Sequence, residues 1–600
     1  MKVSDYIWKY LYKTTKSKHV FLLSGGGMMH LLDSVDKSKF KVVPMHHEQA
    51  ASIAANAYGR TINSIGVCLV TSGPGATNAL TGVAAAFMDS VPMVIISGQV
   101  STLFSKKNMN IRQLGFQEFD IISSVKSTTK YAKFIGNKNQ VQYELEKACF
   151  LAKHGRPGPV WLDVPLDVQT SQIELVNNKK FYYNNNKVSR LNPDTNNKTI
   201  ESVIQKLKKS KRPLIIFGHG TFLSGAKTEA RKIINDFKLP CQTTWNSIDL
   251  IPENNMNYFG RANSYGPRYP NFIIQNADYI LSIGARLGVQ HTGYNVKAFG
   301  RNAFLDMVDV DINESKKPDL KIDRFIKADA KKFLKKLKEK LKEKKFNQKY
   351  PDWTKYCKKI KDKYPVTPEY SSIKNNKYVD PYYFVKNLSD KLRDNETVSL
   401  GASGSCFTVS GQAFQAKKNQ RVFTAKGMAS MGFGLPSTIG AALSMGNKRA
   451  ITIIGDGGFQ LNVQELQTIF VNKLKVKIFI FQNEGYHAIR VTQDTYFNKR
   501  YVGSSNNSGV LLPDIKKISN SYNIKYSCIL NNRELDRKLK NILKDDEAEV
   551  IEIKIDPKKH LYPKLTSQIG KNGKMSTSSL ENLYPFIDSE ELKENMISEF

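Results

Sequence analysis

The sequence predicts an α/β protein built from three doubly wound parallel-sheet domains. Three observations carry that expectation. Short apolar runs repeatedly end in glycine-rich turns and lead into segments of helical period, the alternation that builds parallel sheets. The stretch from Ile451 to Ile489 shows the unit in full, as apolar run, Gly-Asp-Gly-Gly turn, helix-like Asn462–Asn472 and a second apolar run. Two polar stretches without a clean period, 176–198 and 346–377, read as linkers and divide the 600 residues into units of similar size.

The first unit, 1–175, holds strands at Val20–Leu23, Lys41–Val43, Ile65–Val70 and Val91–Ser97. Glycines cluster where these runs end, at Ser24-Gly25-Gly26-Gly27 and at Thr71-Ser72-Gly73-Pro74-Gly75, where a loop must turn tightly or approach a ligand. Glu48 follows a strand end and opens a helix of small residues, Gln49–Tyr58. An acidic residue there complements the helix dipole. A buried carboxyl at the same place also suits proton chemistry. Position alone leaves both readings open.

The second unit, 199–345, has strands Pro213–Phe217, Tyr279–Ile283 and Ala303–Val308, with loops Gly218-His219-Gly220 and Gly284-Ala285-Arg286. Its closing lysine-rich run, Lys331–Lys345, alternates Lys with Leu, Phe and Glu and reads as an amphipathic helix. The third unit, 378–556, contains the Ile451–Ile489 stretch, and 557–600 is a C-terminal tail.

In a parallel sheet, ligands sit beyond the carboxyl ends of the strands. Asp456 and Asn483 both fall at such ends. With a backbone carbonyl near Gly485 they form a hard-oxygen set suited to Mg²⁺, which takes few protein ligands and completes its shell with diphosphate and water. Gly455, Gly457 and Gly458 allow backbone N–H groups to approach a phosphate where a helix begins.

Composition narrows the function classes. The formal net charge of +36 invites a nucleic-acid reading, but the lysines are scattered and the densest run has a helical face, so no nucleic-acid partner is expected. Six cysteines without paired spacing imply reduced thiols and a cytoplasmic protein. No apolar run reaches the roughly 18 residues of a membrane span. The N-terminus enters an amphipathic pattern at once, which leaves no room for a signal or transit peptide.

With these pieces placed, the chain resembles the acetohydroxyacid synthase (acetolactate synthase) branch of thiamine-diphosphate enzymes, from about residue 3 to 556. The resemblance rests on His47-Glu48-Gln49-Ala50-Ala51, Thr71-Ser72-Gly73-Pro74-Gly75, Gly115-Phe116-Gln117-Glu118, Gly155-Arg156-Pro157-Gly158-Pro159, Met431-Gly432-Phe433-Gly434-Leu435-Pro436 and the set Gly455–Asn483, in the family's order. It implies pyrimidine-binding, central and diphosphate-binding domains in that sequence. It also implies an active site shared between subunits, hence a homodimer or homotetramer.

The resemblance assigns roles to individual residues. Glu48 matches the glutamate that hydrogen-bonds N1′ of the cofactor's aminopyrimidine and promotes loss of the C2 proton. Met431 matches the apolar residue under the thiazolium, and the Ala429 carbonyl the acceptor of the 4′-amino group. Asp456, Asn483 and Gly485 match the metal ligands, Gln117 a polar residue facing the reacting centre, and Gly26 and Gly27 the loop that closes over it. Many members of this branch also carry FAD without a redox role in turnover. Arg156, Gly218, Gly220, Arg286 and Asp309 match positions along that flavin.

The pattern breaks at the acceptor side. Leu287-Gly288-Val289-Gln290 stands where the family carries Phe-Asp-Asp-Arg, Leu166 where a lysine is expected, and Ser405-Cys406-Phe407 where Gln-His-Gln is expected. Loss of a cationic partner weakens a bound carboxylate by about 1.5–3 kcal/mol per charged hydrogen bond. Together with the Tyr486–Gln493 segment and Tyr584-Pro585-Phe586, these departures resemble acetolactate-synthase-like proteins of surface-sugar pathways. The expected activity is Mg²⁺/thiamine-diphosphate-dependent decarboxylation of a 2-keto acid, pyruvate above all, with transfer of the two-carbon unit to a carbonyl acceptor. Carboligation onto a keto-sugar nucleotide and simple decarboxylation are the alternatives.

Overall fold

The computed structural model describes residues 1–106, 109–174, 180–181, 195–369, 377–569 and 575–597. Three parallel sheets form its core. The first contains β1 (His19–Leu22), β2 (Lys41–Pro44), β3 (Gly66–Val70), β4 (Met93–Gln99), β5 (Tyr131–Phe134) and β6 (Pro159–Pro165), in the order β2-β1-β3-β4-β6-β5. The second contains β7 (Pro213–Phe217), β8 (Cys241–Thr243), β9 (Tyr279–Ile283), β10 (Phe304–Asp309) and β11 (Arg324–Lys327), in the order β11-β10-β9-β7-β8. The third contains β12 (Thr397–Leu400), β13 (Arg421–Phe423), β14 (Ala450–Gly455), β15 (Val476–Gln482), β16 (Lys525–Ile529) and β17 (Glu549–Lys554), in the order β13-β12-β14-β15-β17-β16. Central strands such as β3, β4 and β15 are buried almost throughout, as sheets covered on both faces require.

The first and third sheets are wound identically. Numbered within each sheet, the strand order is 2-1-3-4-6-5 in both. In each, the chain steps one way from the first strand to the second and the other way to the third. The crevice lies at that reversal, between the carboxyl ends of the first and third strands.

These two domains join through small residues. Helix Glu48–Ile62 packs along helix Gly434–Ser444, and Ala50, Ala54 and Ala57 share one buried core with Phe433, Ile439 and Ala442. A Cβ at Gly440 would lie 2.1 Å from the Ala54 carbonyl oxygen, so the backbones touch where glycine and alanine meet. Asp89 fastens all three domains at one point. Its Oδ2 accepts the Arg60 guanidinium at 2.7 Å, while Oδ1 accepts the Asn246 amide and the Gly427 N–H, each at 3.0 Å. Arg60 also donates to the Thr424 carbonyl at 2.8 Å, and both charged side chains are about 1% exposed.

Some expected elements differ. The first linker lies mostly outside the described residues, and helix Asn197–Lys209 begins within its far end. The stretch read as the second linker contains helix Pro351–Lys363, which buries Trp353, Cys357 and Ile360 at helical spacing against the central core. The helix expected over Asn462–Asn472 starts later, at Glu465. The tail is anchored, with Leu580 and Leu583 buried in the central core. All six cysteines are free thiols, and no helix among the described residues is long and apolar enough to cross a membrane.

Candidate active site

The third sheet's crevice gathers the oxygens expected as metal ligands. β14 ends at Gly455 and β15 at Gln482, so Asp456 and Asn483 emerge side by side. Asp456 Oδ2 accepts the N–H groups of Asn483 at 3.0 Å and Gly485 at 3.1 Å, and Oδ1 accepts that of Gly457 at 2.8 Å. Burial pushes the Asp456 carboxyl above its ordinary range, opposed by these three amides and the Arg490 charge. The Asn483 amide nitrogen donates to Ser405 Oγ at 3.0 Å, while its Oδ1 is buried without any hydrogen-bond partner. Such an oxygen costs free energy unless a ligand meets it.

The loop beyond is bent by Glu484 at φ +63° and Gly485 at φ +109°. It is clamped from behind by buried Arg490, which donates to the Asn483, Glu484 and Ser504 carbonyls. Carboxylate, amide oxygen and the Gly485 carbonyl therefore fit Mg²⁺ by donor chemistry. Among the described residues no cluster of three His, Cys, Asp or Glu offers a softer metal site.

Gly457 lies against the wall of the same crevice, where a Cβ would sit 2.5 Å from the Tyr486 ring and 3.3 Å from Met431 Cε. Gly455 and Gly458 face open space or nearly so. Ala429, two residues before Met431, takes a left-handed backbone at φ +53°. Asn462, from the segment after the Gly-Asp-Gly-Gly turn, donates to the Gly432 carbonyl at 2.8 Å and to Gln49 Oε1 at 3.2 Å. It thereby links the Met431 loop to the residue beside Glu48.

The first sheet's crevice gathers the acid. Glu48 begins its helix buried, with Oε2 accepting the Asn78 amide at 3.0 Å, and a Cβ at Gly75 would stand 3.3 Å from Oε1. Gly26 is exposed, whereas Gly27 is tied down, its N–H donating to Thr71 Oγ1 at 3.1 Å and its carbonyl accepting Gln169 at 2.8 Å. Gln117 has φ +61° and packs on Gly73, whose Cβ position is 2.9 Å from the Gln117 carbonyl oxygen. Among the described residues no hydrogen bond joins Glu48 to Asp456 or Asn483 within one chain.

A separate cavity of about 580 Å³ opens between the central domain and the other two. Arg156, Gly220, Arg286 and Asp309 line it, together with His219, Gln290 and Lys426. Arg156 donates to Ser90, Asp311 and Glu314, and Arg286 reaches the Met88 carbonyl at 2.9 Å. Burial raises the Asp309 carboxyl to about 6 and, with the Arg286 charge, lowers the Lys426 amine to about 7. Gly218 does not line the cavity. A Cβ there would lie 2.2 Å from Gly284 O and Ala285 Cα, so its place is the close passage between two strand-end loops. Size and mixed lining suit a dinucleotide-sized ligand. Leu166 opens a short helix after β6, away from this cavity.

Three family models match the chain, one over most or all of each parallel sheet. Residues 1–124 match the N-terminal thiamine pyrophosphate (TPP) binding domain of thiamine pyrophosphate enzymes, 200–337 their central domain, and 402–553 their C-terminal TPP binding domain. An acetolactate synthase large subunit of Cyanidium caldarium is 31% identical, covering 91% of this chain and 92% of its own length. The chain belongs to the thiamine pyrophosphate enzyme family. An acetolactate synthase large subunit of Lactococcus lactis subsp. lactis (strain IL1403) is 30% identical over 91% of both chains. A probable acetolactate synthase large subunit of Methanococcus aeolicus is 32% identical over 90% of both. Within the family the protein is a thiamine-diphosphate-dependent transferase or carboligase of the acetolactate synthase type, acting on small molecules.

Sequence reasoning gives no role at the site to Asn78, Ser405, Asn462, Glu465 and Arg490, although Ser405 and Arg490 fall in stretches noted as departures from the family pattern. None lies in a motif of its own. Each becomes visible only when the fold brings it to Glu48, Asn483, Met431, His46 or the Gly485 loop.

Proposed function

We propose that the protein decarboxylates pyruvate and joins the resulting two-carbon unit to a carbonyl acceptor, with Mg²⁺ and thiamine diphosphate as cofactors. The observation that carries the reading is the pair of matched crevices, one presenting buried Glu48 and the other Asp456 beside the unpartnered Asn483 Oδ1. Thiamine diphosphate, when bound, supplies the carbanion chemistry that breaks and makes carbon–carbon bonds.

The chain's part is to hold and to orient. Asp456, Asn483 and the Gly485 carbonyl would hold Mg²⁺, which would neutralise diphosphate charge, and the Gly455–Gly458 turn would offer backbone N–H groups to the phosphates. Met431 would support the bend of the cofactor and Ala429 receive its 4′-amino group. Glu48 would keep a proton in exchange with N1′, and Gln117 would face the reacting carbonyl. Overall, the donor loses carbon dioxide, a carbon–carbon bond forms to the acceptor carbonyl, and the acceptor oxygen takes a proton. A second copy of the chain completes the site, since Glu48 and Asp456 lie in separate crevices of one chain. FAD would occupy the central cavity with Arg156, Gly220, Arg286 and Asp309 around it, and Gly218 would act only through the strand-end loops it lets pass. The setting proposed is cytoplasmic.

The acceptor is proposed to be other than a second simple keto acid, because Gln290 and Leu166 offer no cation for its carboxylate. Incubation with thiamine diphosphate, Mg²⁺ and pyruvate, with and without added aldehydes or keto-sugars, tests both parts by product mass. Carbon dioxide release with new carboligation products supports the reading, and no turnover of pyruvate overturns it.

A further inference from the structure

Gln117 sits in a left-handed backbone conformation that is uncommon for a non-glycine residue. What holds it there is visible on both sides of it. Before it, Ser105, Lys106, Leu114 and Gly115 gather around the carboxylate of Glu118. Oε1 accepts the Lys106 N–H at 2.6 Å and the Ser105 hydroxyl at 2.9 Å, while Oε2 accepts the N–H groups of Leu114 at 2.9 Å and Gly115 at 3.4 Å. Burial raises the pKa of this carboxyl, but the four donors outweigh it and hold the group below its ordinary range. Gln113 further donates to the Glu118 carbonyl at 2.9 Å.

Behind it, the next carbonyl is tethered to the sheet. The Gln99 amide nitrogen donates to Phe119 O at 2.9 Å and to Asp163 Oδ2 at 3.0 Å, and Gln99 Oε1 accepts the Val100 N–H at 3.0 Å. Every hydrogen-bonding position of that amide but one lone pair is used, so its orientation is fixed. Asp163 is fixed in turn, its Oδ1 accepting Ser97 Oγ at 2.5 Å while Ser97 accepts the Trp161 indole at 2.7 Å. Asp163 and Gln99 are both buried, on the neighbouring strands β6 and β4. Such a linked chain of groups, rooted in the sheet, explains why a loop position can be held with the precision a reacting centre needs.

We propose that Glu118, together with the Asp163–Gln99 pair, positions Gln117, and that these residues serve turnover solely through it. The proposal rests on the role given to Gln117 above. None of the three is assigned contact with cofactor or substrate.

The test uses the full-length protein loaded with thiamine diphosphate and Mg²⁺, with pyruvate as substrate. Gln117→Ala, Glu118→Gln, Gln99→Leu and the double variant Gln117→Ala/Glu118→Gln are compared in kcat, KM, cofactor Kd and C2 hydrogen exchange of the bound cofactor. Glu118→Gln and Gln99→Leu are expected to lower kcat by about 10²-fold, the cost of displacing a group by about 1 Å, with KM, cofactor affinity and C2 exchange unchanged. The double variant is expected to be no slower than Gln117→Ala alone, because residues that act as one unit are not additive. Full activity of Glu118→Gln, or an additive loss in the double variant, overturns the proposal. Unchanged turnover of Gln117→Ala overturns the reading of Gln117 and this proposal with it, and that single variant tells the two failures apart. Should Glu118→Gln not fold, Gln99→Leu and its double with Gln117→Ala give the same comparison.

Discussion

The backbone N–H of His46 donates to Glu465 Oε1 at 3.0 Å, so the turn that carries Glu48 is held by a carboxylate from the diphosphate-side domain. Thr468 Oγ1 holds the other oxygen at 2.7 Å. Burial raises the Glu465 carboxyl from 4.5 to about 7 despite these donors. The folded protein therefore binds more protons than the unfolded chain between those values. Stability from this group is full below about 4.5 and is lost as pH rises through about 7. Glu465→Gln should remove that dependence, raising Tm relative to the parent more at pH 8 than at pH 5, by up to roughly 3 kcal/mol of stability. Parallel Tm–pH curves for the two proteins would contradict the assignment.

Glu48→Gln should leave thiamine diphosphate bound and slow its C2 proton exchange by about 10²–10⁴-fold, the span of a lost general acid–base group. Acid-quench NMR of hydrogen–deuterium exchange reads this directly. An unchanged exchange rate would remove Glu48 from the mechanism.

Asn483→Leu separates folding from metal binding. Its Oδ1 is already buried and unpartnered, so the cofactor-free protein should lose about 1 kcal/mol or less, mainly through the Ser405 contact. Mg²⁺-dependent binding of thiamine diphosphate, followed by calorimetry, should nonetheless fall steeply. Undiminished binding would mean that the amide oxygen is no ligand.

Gly457→Ala places a methyl group 2.5 Å from the Tyr486 ring. It should destabilise the loop and weaken cofactor binding, and Tyr486→Ala in the same chain should restore much of both. The absence of rescue would show that the glycine answers to something other than Tyr486.

Asp89→Asn leaves the fully buried Arg60 guanidinium without its charge partner. A loss of about 3–5 kcal/mol is expected, by thermal or denaturant unfolding. Because Asn246 and Gly427 also lean on Asp89, the transition should lose cooperativity among the three domains.

Much of this architecture is legible in the residues. β7 and β9 occupy their expected bounds because each is a five-residue apolar run closed by glycine. Four strands give no such signal. β8 and β13 are three residues long, and β5 and β16 are half-exposed edges. β17 hides for a different reason: Glu549 and Glu552 are buried in it, and Glu549 pairs with the buried Lys477 at 2.9 Å, so a core strand reads as a surface one. The helix Pro351–Lys363 is masked by its lysines, although Trp353, Cys357 and Ile360 keep its inner face apolar. At the site, motif residues such as Asp456 and Asn483 carry their own signal. Ser405 and Asn78 are ordinary polar residues whose meaning comes from neighbours 78 and 30 positions away.

The shared winding of the outer sheets bears on where a substitution can act without disturbing the rest. Two sheets of one winding order, each opening a crevice at the same reversal, differ in what they present there: one holds the buried Glu48 carboxyl, the other Asp456 beside the unpartnered Asn483 Oδ1. The two crevices are nevertheless coupled within one chain, because Glu465 holds the His46 turn and Asn462 ties the Met431 loop to Gln49. The central domain belongs to neither outer domain, and its cavity borders both. A change at Gln290 therefore reshapes that cavity while leaving Glu48, Asp456 and Asn483 in place, since none of the three lines it.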